Sequence, residues 1–338
     1  MRGEKSVKYI VIDLEWNQAI SKEQSESGMP FEIIEIGAVK LDENMHIVSQ
    51  FNSLIKPKVY RKLHHKTQEV TRLSIKELNQ NGREFKKCIR EFFKWCGEDY
   101  IFCTWGSMDL TELQRNIRFY GLEIPFARPL LYYDLQKLYS VLYKGGTGML
   151  ALDNAVKERN ISQRRPFHRA QDDAYYTALV MREMDMESVK GQFSVDFYRP
   201  PQKSGEEVLI QRDNEIEFVS RTYDTKEELL KDRTVTCMEC WYCKKRLRKK
   251  IHWFSWNGKP YFALAYCPEH GYLRGRIKLR KSEDEKVFAV KTLHFTDEQG
   301  AEEIREKQKD MYRKRRKKQR LWAKQQALEA NKVLEEDQ

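Results

Sequence analysis

Hydrophobic and polar positions run through the first half of the chain in two rhythms. Tyr9, Ile10, Val11 and Ile12 form an apolar run that passes into alternating Asp13, Leu14, Glu15 and Trp16, the pattern of a strand over 8–16. FEIIEIGAVKLD (31–42) and the segment from about 47 to 57 read the same way, with polar or turn-prone residues between them. The chain therefore opens as three strands with an antiparallel start. The rhythm then changes. Phe85, Ile89, Phe92, Phe93 and Cys96 recur at helical spacing, with Gly97 as a stop. YIFCTWG reads as a strand, MDLTELQRNIRFYG as a helix closed by Gly121, and a short strand near LLYYDL precedes helices at about 149–159 and 170–187. Three strands followed by alternating helix and strand predict an α/β sheet covered by helices.

The pattern breaks at YRPPQKSGEE (198–207), where Pro200, Pro201 and Gly205 oppose regular structure. This divides the chain into a first domain at 1–197, a linker or connector at 198–233 with a short helix around TKEELLKD, a β-rich module at 234–295 and a charged tail at 296–338 that reads as one long helix. No internal repeat is visible.

Charge sharpens this division. The 338 residues hold 62 Lys and Arg against 51 Asp and Glu, a net charge of +11 that favours a polyanionic partner such as nucleic acid. Residues 234–281 carry 12 basic and only 2 acidic side chains, so the surplus lies downstream. No run approaches the roughly 18 apolar residues of a membrane span, and Asp13 and Glu15 interrupt the first apolar run, so the expectation is a cytoplasmic protein with no membrane partner. The odd count of 7 cysteines fits reduced thiols, and the four in the second half suggest a metal.

Asp13 and Glu15 lie two apart on a strand and so project from one face. Neighbouring anions persist where water bathes them or a divalent cation sits between them. Two later segments add to the pair. CTWGSMDLTELQRNI places Asp109 in the first turn of a helix just after a strand, and HRAQDDAYYTALV offers His168 and, five residues on, Asp173. Taken in this order, Asp13, Glu15, Asp109, His168 and Asp173 resemble the DEDD superfamily of 3′–5′ exonucleases, in the subgroup with a histidine five residues before the last aspartate. TWGSMDLTELQRN and HRAQDDA are most similar to the ribonuclease T-like, KapD-like exonucleases of bacteria and to eukaryotic relatives that trim small and histone RNAs. The resemblance spans about residues 7–187 and implies a ribonuclease H-like mixed sheet flanked by helices.

It also implies a two-metal hydrolysis, with two Mg²⁺ or Mn²⁺ held by Asp13, Glu15, Asp109 and Asp173. Asp13 would bridge both ions, Glu15 and Asp173 would complete the site of the nucleophilic water, and Asp109 would help hold the second ion. His168 would be the general base. The neighbours stay open. Family spacing selects Asp173 over Asp172, which could cap the helix or meet Arg169. Glu35 and Asp134 are acids near strands, structural or supporting the site. Arg164, Arg165 and Arg169 flank His168 and either hold phosphates or are solvated. Trp16 is core or stacks on a base, and Trp105 and Met108 carry the same ambiguity.

Downstream, CMECWYCKKRL and YCPEHGYL supply CxxC, a gap of 23 residues and CxxH, the two knuckles of a zinc ribbon. Cys240, Cys243, Cys267 and His270 are the assigned ligands of one structural Zn²⁺. Cys237 is left as an alternative to Cys243 or as a free thiol. Asn257 and Gly258 between two apolar runs predict a tight hairpin. In YLRGRIKLRK, Arg274, Arg276, Lys278 and Arg280 alternate with apolar residues and make a basic stripe on a strand, suited to single-stranded nucleic acid. RKRRKKQR (313–320) has 7 basic residues and suits ribosomal or structured RNA. The expected function is a metal-dependent 3′–5′ exonuclease on single-stranded nucleic acid, RNA favoured. The alternative is a nucleic-acid or ribosome-binding protein with little nuclease activity.

Overall fold

The apolar run near the start becomes β1 (Lys8–Gln18), an inner strand of a six-stranded sheet, in a computed structural model that describes residues 7–212 and 214–336. The chain divides into two units, 1–199 and 200–338. In the first, β2 (Phe31–Leu41) and β3 (Ile47–Leu54) continue the sheet antiparallel from β1. Helices α1 (His65–Thr71), α2 (Ile75–Asn81) and α3 (Phe85–Cys96) follow. Then come β4 (Tyr100–Thr104), α4 (Asp109–Phe119), β5 (Leu131–Asp134), α5 (Leu135–Tyr143), α6 (Leu152–Glu158), α7 (Ala170–Arg182) and β6 (Ser194–Val195). The order β3-β2-β1-β4-β5-β6, with β4 parallel to both β1 and β5, is the ribonuclease H-like mixed sheet that the resemblance implies.

Both faces of this sheet are covered, which is why the strands are apolar at odd and even positions alike. Ile10, Ile12 and Leu14 pack with Phe85, Ile89 and Phe92 of α3 and Leu113 and Ile117 of α4. Val11 and Val39 pack on the other side with Tyr139 of α5 and Tyr176 and Val180 of α7. Asp13 and Glu15 share the Val11 face, so the acids emerge where α7 crosses the sheet. Helices α1, α2 and α5 escape the pattern analysis. HKTQEVT and IKELNQN bury one residue each and show no apolar stripe, and α5 follows β5 without a break.

The second unit differs from a small zinc ribbon in size. The stretch expected as a connector supplies β7 (Val208–Gln211) and β8 (Glu215–Val219), followed by α8 (Lys226–Lys231) and α9 (Arg233–Thr236). With β9 (Lys249–Trp256), β10 (Lys259–Cys267), β11 (Gly271–Lys281) and β12 (Val287–Thr296) these strands build a second six-stranded sheet, ordered β7-β8-β12-β11-β10-β9. Part of the stretch expected as a linker over 198–233 is thus strand in the second unit's sheet. Ile210, Ile216 and Val219 are buried sheet residues, the first in a strand of only four residues and the second flanked by Glu215 and Glu217. The β9–β10 hairpin turns on Asn257 and Gly258, with φ of +55° and +72°, the left-handed pair that an Asn-Gly turn provides. Helix α10 (Glu298–Glu336) lays Ala301 and Ile304 against Ile251, Phe254 and Leu264, while residues 313–320 are exposed. Among the described residues no helix is long and apolar enough to cross a membrane.

Candidate active site

Asp13, Glu15 and Asp173 each place a carboxylate oxygen within 4.8 Å of the others. The first two come from one face of β1, where Asp13 pairs with Gly37 and Glu15 with Glu35 across the β1–β2 ladder. The third comes from the first turn of α7. Its approach depends on Gly37. A Cβ there would sit 2.1 Å from the backbone carbon of Ala170, so only glycine lets the start of α7 lie directly over Asp13's strand partner. Two glutamates face to face on a ladder repel, and Arg169 resolves this by bonding Glu35 through Nε and Nη2, both at 3.0 Å. That pair also ties the start of α7 to β2. Glu35 and Gly37 therefore shape the site. In the sequence Gly37 carries little signal, being a single glycine within a strand-like segment.

Asp109 stands at the start of α4, outside the group of three, and its Oδ1 accepts the backbone N–H of Leu14 at 3.1 Å. It remains close enough to act on Asp13. Burial first, then the charges of Asp109, Glu15 and Asp173, hold the Asp13 carboxyl well above its ordinary value. Burial, with help from Asp173 and Glu35, pushes Glu15 up to about 8. Burial also lifts Asp109 to about 7 and Asp173 to about 6. The backbone N–H of His168 donates to Asp173 Oδ2 at 3.1 Å and works against the rise there. The other oxygen, Oδ1, is buried with no hydrogen-bond partner. Four mutually repelling, desolvated carboxyls and one orphaned oxygen match the donor set of a hard divalent cation.

His168 is exposed and takes a left-handed φ of +69°, a strained setting for a residue with a Cβ. The loop before it is pinned by Tyr176, whose hydroxyl donates to the carbonyl of Arg165 and accepts its N–H. Asp172 meets Arg165 at 3.4 Å and not Arg169, whose guanidinium is spent on Glu35. Arg164 is exposed. Asp134 caps α5 by accepting from the N–H of Lys137. Trp16 packs into the core against Phe31, with ring centres 5.6 Å apart, and Trp105 is anchored by donation to the carbonyl of Leu150. Met108, beside Asp109, stays exposed.

In the second unit Cys240, Cys243, Cys267 and His270 bring one ligand atom each within 4.8 Å of one another. Cys240 Sγ lies 3.4 Å from His270 Nδ1, Cys243 Sγ 3.6 Å from Cys267 Sγ, and Cys267 Sγ 3.5 Å from His270 Nδ1. A tetrahedron with metal–sulfur bonds of about 2.3 Å has edges near 3.8 Å, so the donor set and spacing fit zinc. Cys237 lies outside this group, and its carbonyl accepts from Lys291 Nζ at 3.2 Å.

The family described as Exonuclease, of the RNase T type, matches residues 10–181. The chain is 29% identical over 166 residues to the probable 3′–5′ exonuclease KapD of Bacillus subtilis (strain 168), covering 49% of this chain and 78% of that protein. Its fold is similar to the nuclease domain of 3′hExo, a DEDDh family member bound to rAMP, at 18% identity and a TM-score of 0.46, over 57% of this chain and 97% of that one. Cell-death related nuclease 4 (CRN-4) matches at 18% identity and a TM-score of 0.46, over 56% of this chain and 66% of that one. With Asp13, Glu15 and Asp173 brought together where α7 meets a mixed sheet, the chain belongs to the RNase T exonuclease family and is a 3′–5′ exonuclease, a hydrolase of ester bonds.

Proposed function

We propose that the substrate is single-stranded nucleic acid, with RNA favoured over DNA, and that hydrolysis from the 3′ end releases nucleoside 5′-monophosphates. The observation that carries the site's part in this is the buried Oδ1 of Asp173, left without a donor beside two further carboxylates. Asp13, Glu15, Asp109 and Asp173 would hold two Mg²⁺ or Mn²⁺ ions. Bound there, divalent cations neutralise charge at the scissile phosphate and make water a better nucleophile. His168, exposed at the rim and tied through its backbone to Asp173, takes the proton of the attacking water. Met108, exposed beside Asp109, is placed to press on the terminal nucleotide. Arg169 acts through Glu35, holding α7 in place, and not on phosphate. The preference for RNA is supported by the similarity of TWGSMDLTELQRN and HRAQDDA to RNA-trimming relatives. One structural Zn²⁺ would be held by Cys240, Cys243, Cys267 and His270.

Matched 3′-labelled RNA and DNA single strands, incubated with Mg²⁺, with Mn²⁺ and with neither, test this reading. Stepwise loss of 5′-monophosphates that requires the cation and is faster on RNA is expected. Equal rates on DNA would overturn the preference, and release without divalent cation would overturn the role of the acids.

A further inference from the structure

Helix α10 leaves its support part-way along. Ala301 and Ile304 pack on Ile251, Phe254 and Leu264 of the second sheet, and Met311 lies half-buried against the same cluster. The last ties lie by the tip of the β9–β10 hairpin, where Trp256 Nε1 donates to Asp310 Oδ2 at 2.9 Å and Lys314 Nζ to Asn257 Oδ1 at 3.0 Å. Apart from that bond, residues 312–326 are exposed throughout. At about 100° per residue, Arg315, Lys318 and Trp322 fall within about 40° of the line on which Ile304 and Met311 meet the sheet. The face that grips the sheet thus runs on past the hairpin as two cations and an indole, and Trp322 is 64% exposed.

Charge changes at the same point. On the packed part of α10, Arg305 bonds Glu298 and Glu302, and Lys309 bonds Glu302 and Glu306. Between Asp310 and Glu329 the helix carries 8 cations and no acid. Lys314 pairs with Asp310, whereas Arg315 and Lys318 have no ion-pair partner among the described residues. Like charges three and four residues apart weaken a helix, and a polyanion laid against them removes that penalty. The basic stripe of β11 differs. Arg276, Lys278 and Arg280 are exposed and Arg274 is half-buried, but Glu217 acts on Lys278 and Arg280 has a partner of its own.

The side chains on the overhanging face select the polyanion. Arg315, Lys318 and Trp322 follow one another at about 4.5 and 6 Å along the axis, so phosphates and a neighbouring base of one extended strand can be engaged together. A duplex buries the faces of its bases and offers the indole nothing to stack on. A membrane surface fits less well, because an interfacial helix needs a broad apolar face. Here Leu321 and Trp322 are the only large apolar side chains from 313 to 326, and they lie about 100° apart.

We propose that the overhanging face of α10, Arg315, Lys318 and Trp322, is a second nucleic-acid site, which holds phosphates of a single strand on its two cations and stacks one base on its indole. It reads no sequence and serves to hold the strand. The assignment rests on the nuclease reading only in choosing nucleic acid over another polyanion.

The test is a binding titration of the full chain with a fluorescein-labelled oligouridylate of about 20 nucleotides between about 50 and 200 mM salt, without added divalent cation and with the oligonucleotide checked intact. Its outcome does not depend on hydrolysis, so its failure is separable from failure of the catalytic reading. Arg315→Gln/Lys318→Gln is expected to reduce the slope of log affinity against log salt by about 1.4, two phosphates at about 0.7 each on a single strand. Arg313→Gln/Lys317→Gln, on the far side of the helix, is expected to leave the slope nearly unchanged. Trp322→Leu is expected to weaken binding about tenfold with the slope unchanged, and Trp322→Phe to restore most of it. All these positions are exposed, and glutamine forms helix about as well as arginine and lysine, so lost folding does not stand in for lost binding. Equal loss of slope in the two glutamine pairs would overturn the proposal in favour of a diffuse basic helix. So would a blunt duplex of the same length binding as tightly as the single strand, or tighter binding to vesicles of phosphatidylcholine and phosphatidylserine.

Discussion

Asp173 shows how one side chain can carry an account. One oxygen is held by the N–H of His168 and the other is buried without a partner, an arrangement that a fold retains when something else satisfies it. Asp173→Asn is nearly isosteric, so the fold should persist while nucleotide release falls at least about a hundredfold, read as kcat on labelled RNA with circular dichroism as the control. His168→Ala should lower the rate by about two to four orders of magnitude and flatten the pH–rate profile; an unaltered profile would remove it as the base. Glu15 makes a linkage prediction. Its carboxyl rises from 4.5 to about 8 when folded, so the native state binds its proton more tightly than the unfolded chain does. Its contribution to stability is therefore fully present below about pH 4.5 and lost as pH rises through about 8. Without added Mg²⁺ or Mn²⁺, Glu15→Gln should melt progressively above the wild type as pH rises across that window. Mn²⁺ should reverse the order at the alkaline end. A melting difference independent of pH would contradict the burial argument.

At the scale of elements, the site is an agreement between β1, β2 and the start of α7. Gly37→Ala would drive a methyl into the Ala170 backbone, and overpacking of this kind destabilises by about 1–3 kcal/mol. The expected result is a lowered melting temperature together with at least a tenfold loss of kcat, because the displaced helix carries Asp173. Full activity with unchanged melting would show that α7 tolerates the shift. The sequence made the strands, α3, α4 and α7 legible because their apolar spacing matches their period. Asp13, Glu15, Asp109, His168 and Asp173 were legible because their order and surroundings form a motif. Gly37 and the Glu35–Arg169 clamp were not legible, since a pair 134 residues apart leaves no periodic trace. Short polar helices such as α1 and α2 leave none either.

At the scale of the molecule, the two units carry different chemistries on one chain. The Cys/His knuckles were readable from spacing alone. The full six-stranded sheet around them was not, because it also recruits β7, four residues long, and β8, where Glu215 and Glu217 interrupt the apolar positions, from before that module. If zinc joins Cys240 and Cys243 to Cys267 and His270, a strong chelator should lower the stability of the second unit and release about one zinc per chain, measured by a colorimetric zinc assay during thermal unfolding. No zinc released would contradict the assignment. The central claim is that carboxylates from β1 and α7 hold divalent cations, and crystals soaked in Mn²⁺ test it most directly by anomalous scattering. The account predicts a strong peak among Asp13, Glu15 and Asp173, within about 2.0–2.3 Å of the Asp173 oxygen that has no protein partner. A map at millimolar Mn²⁺ with no peak there would contradict it.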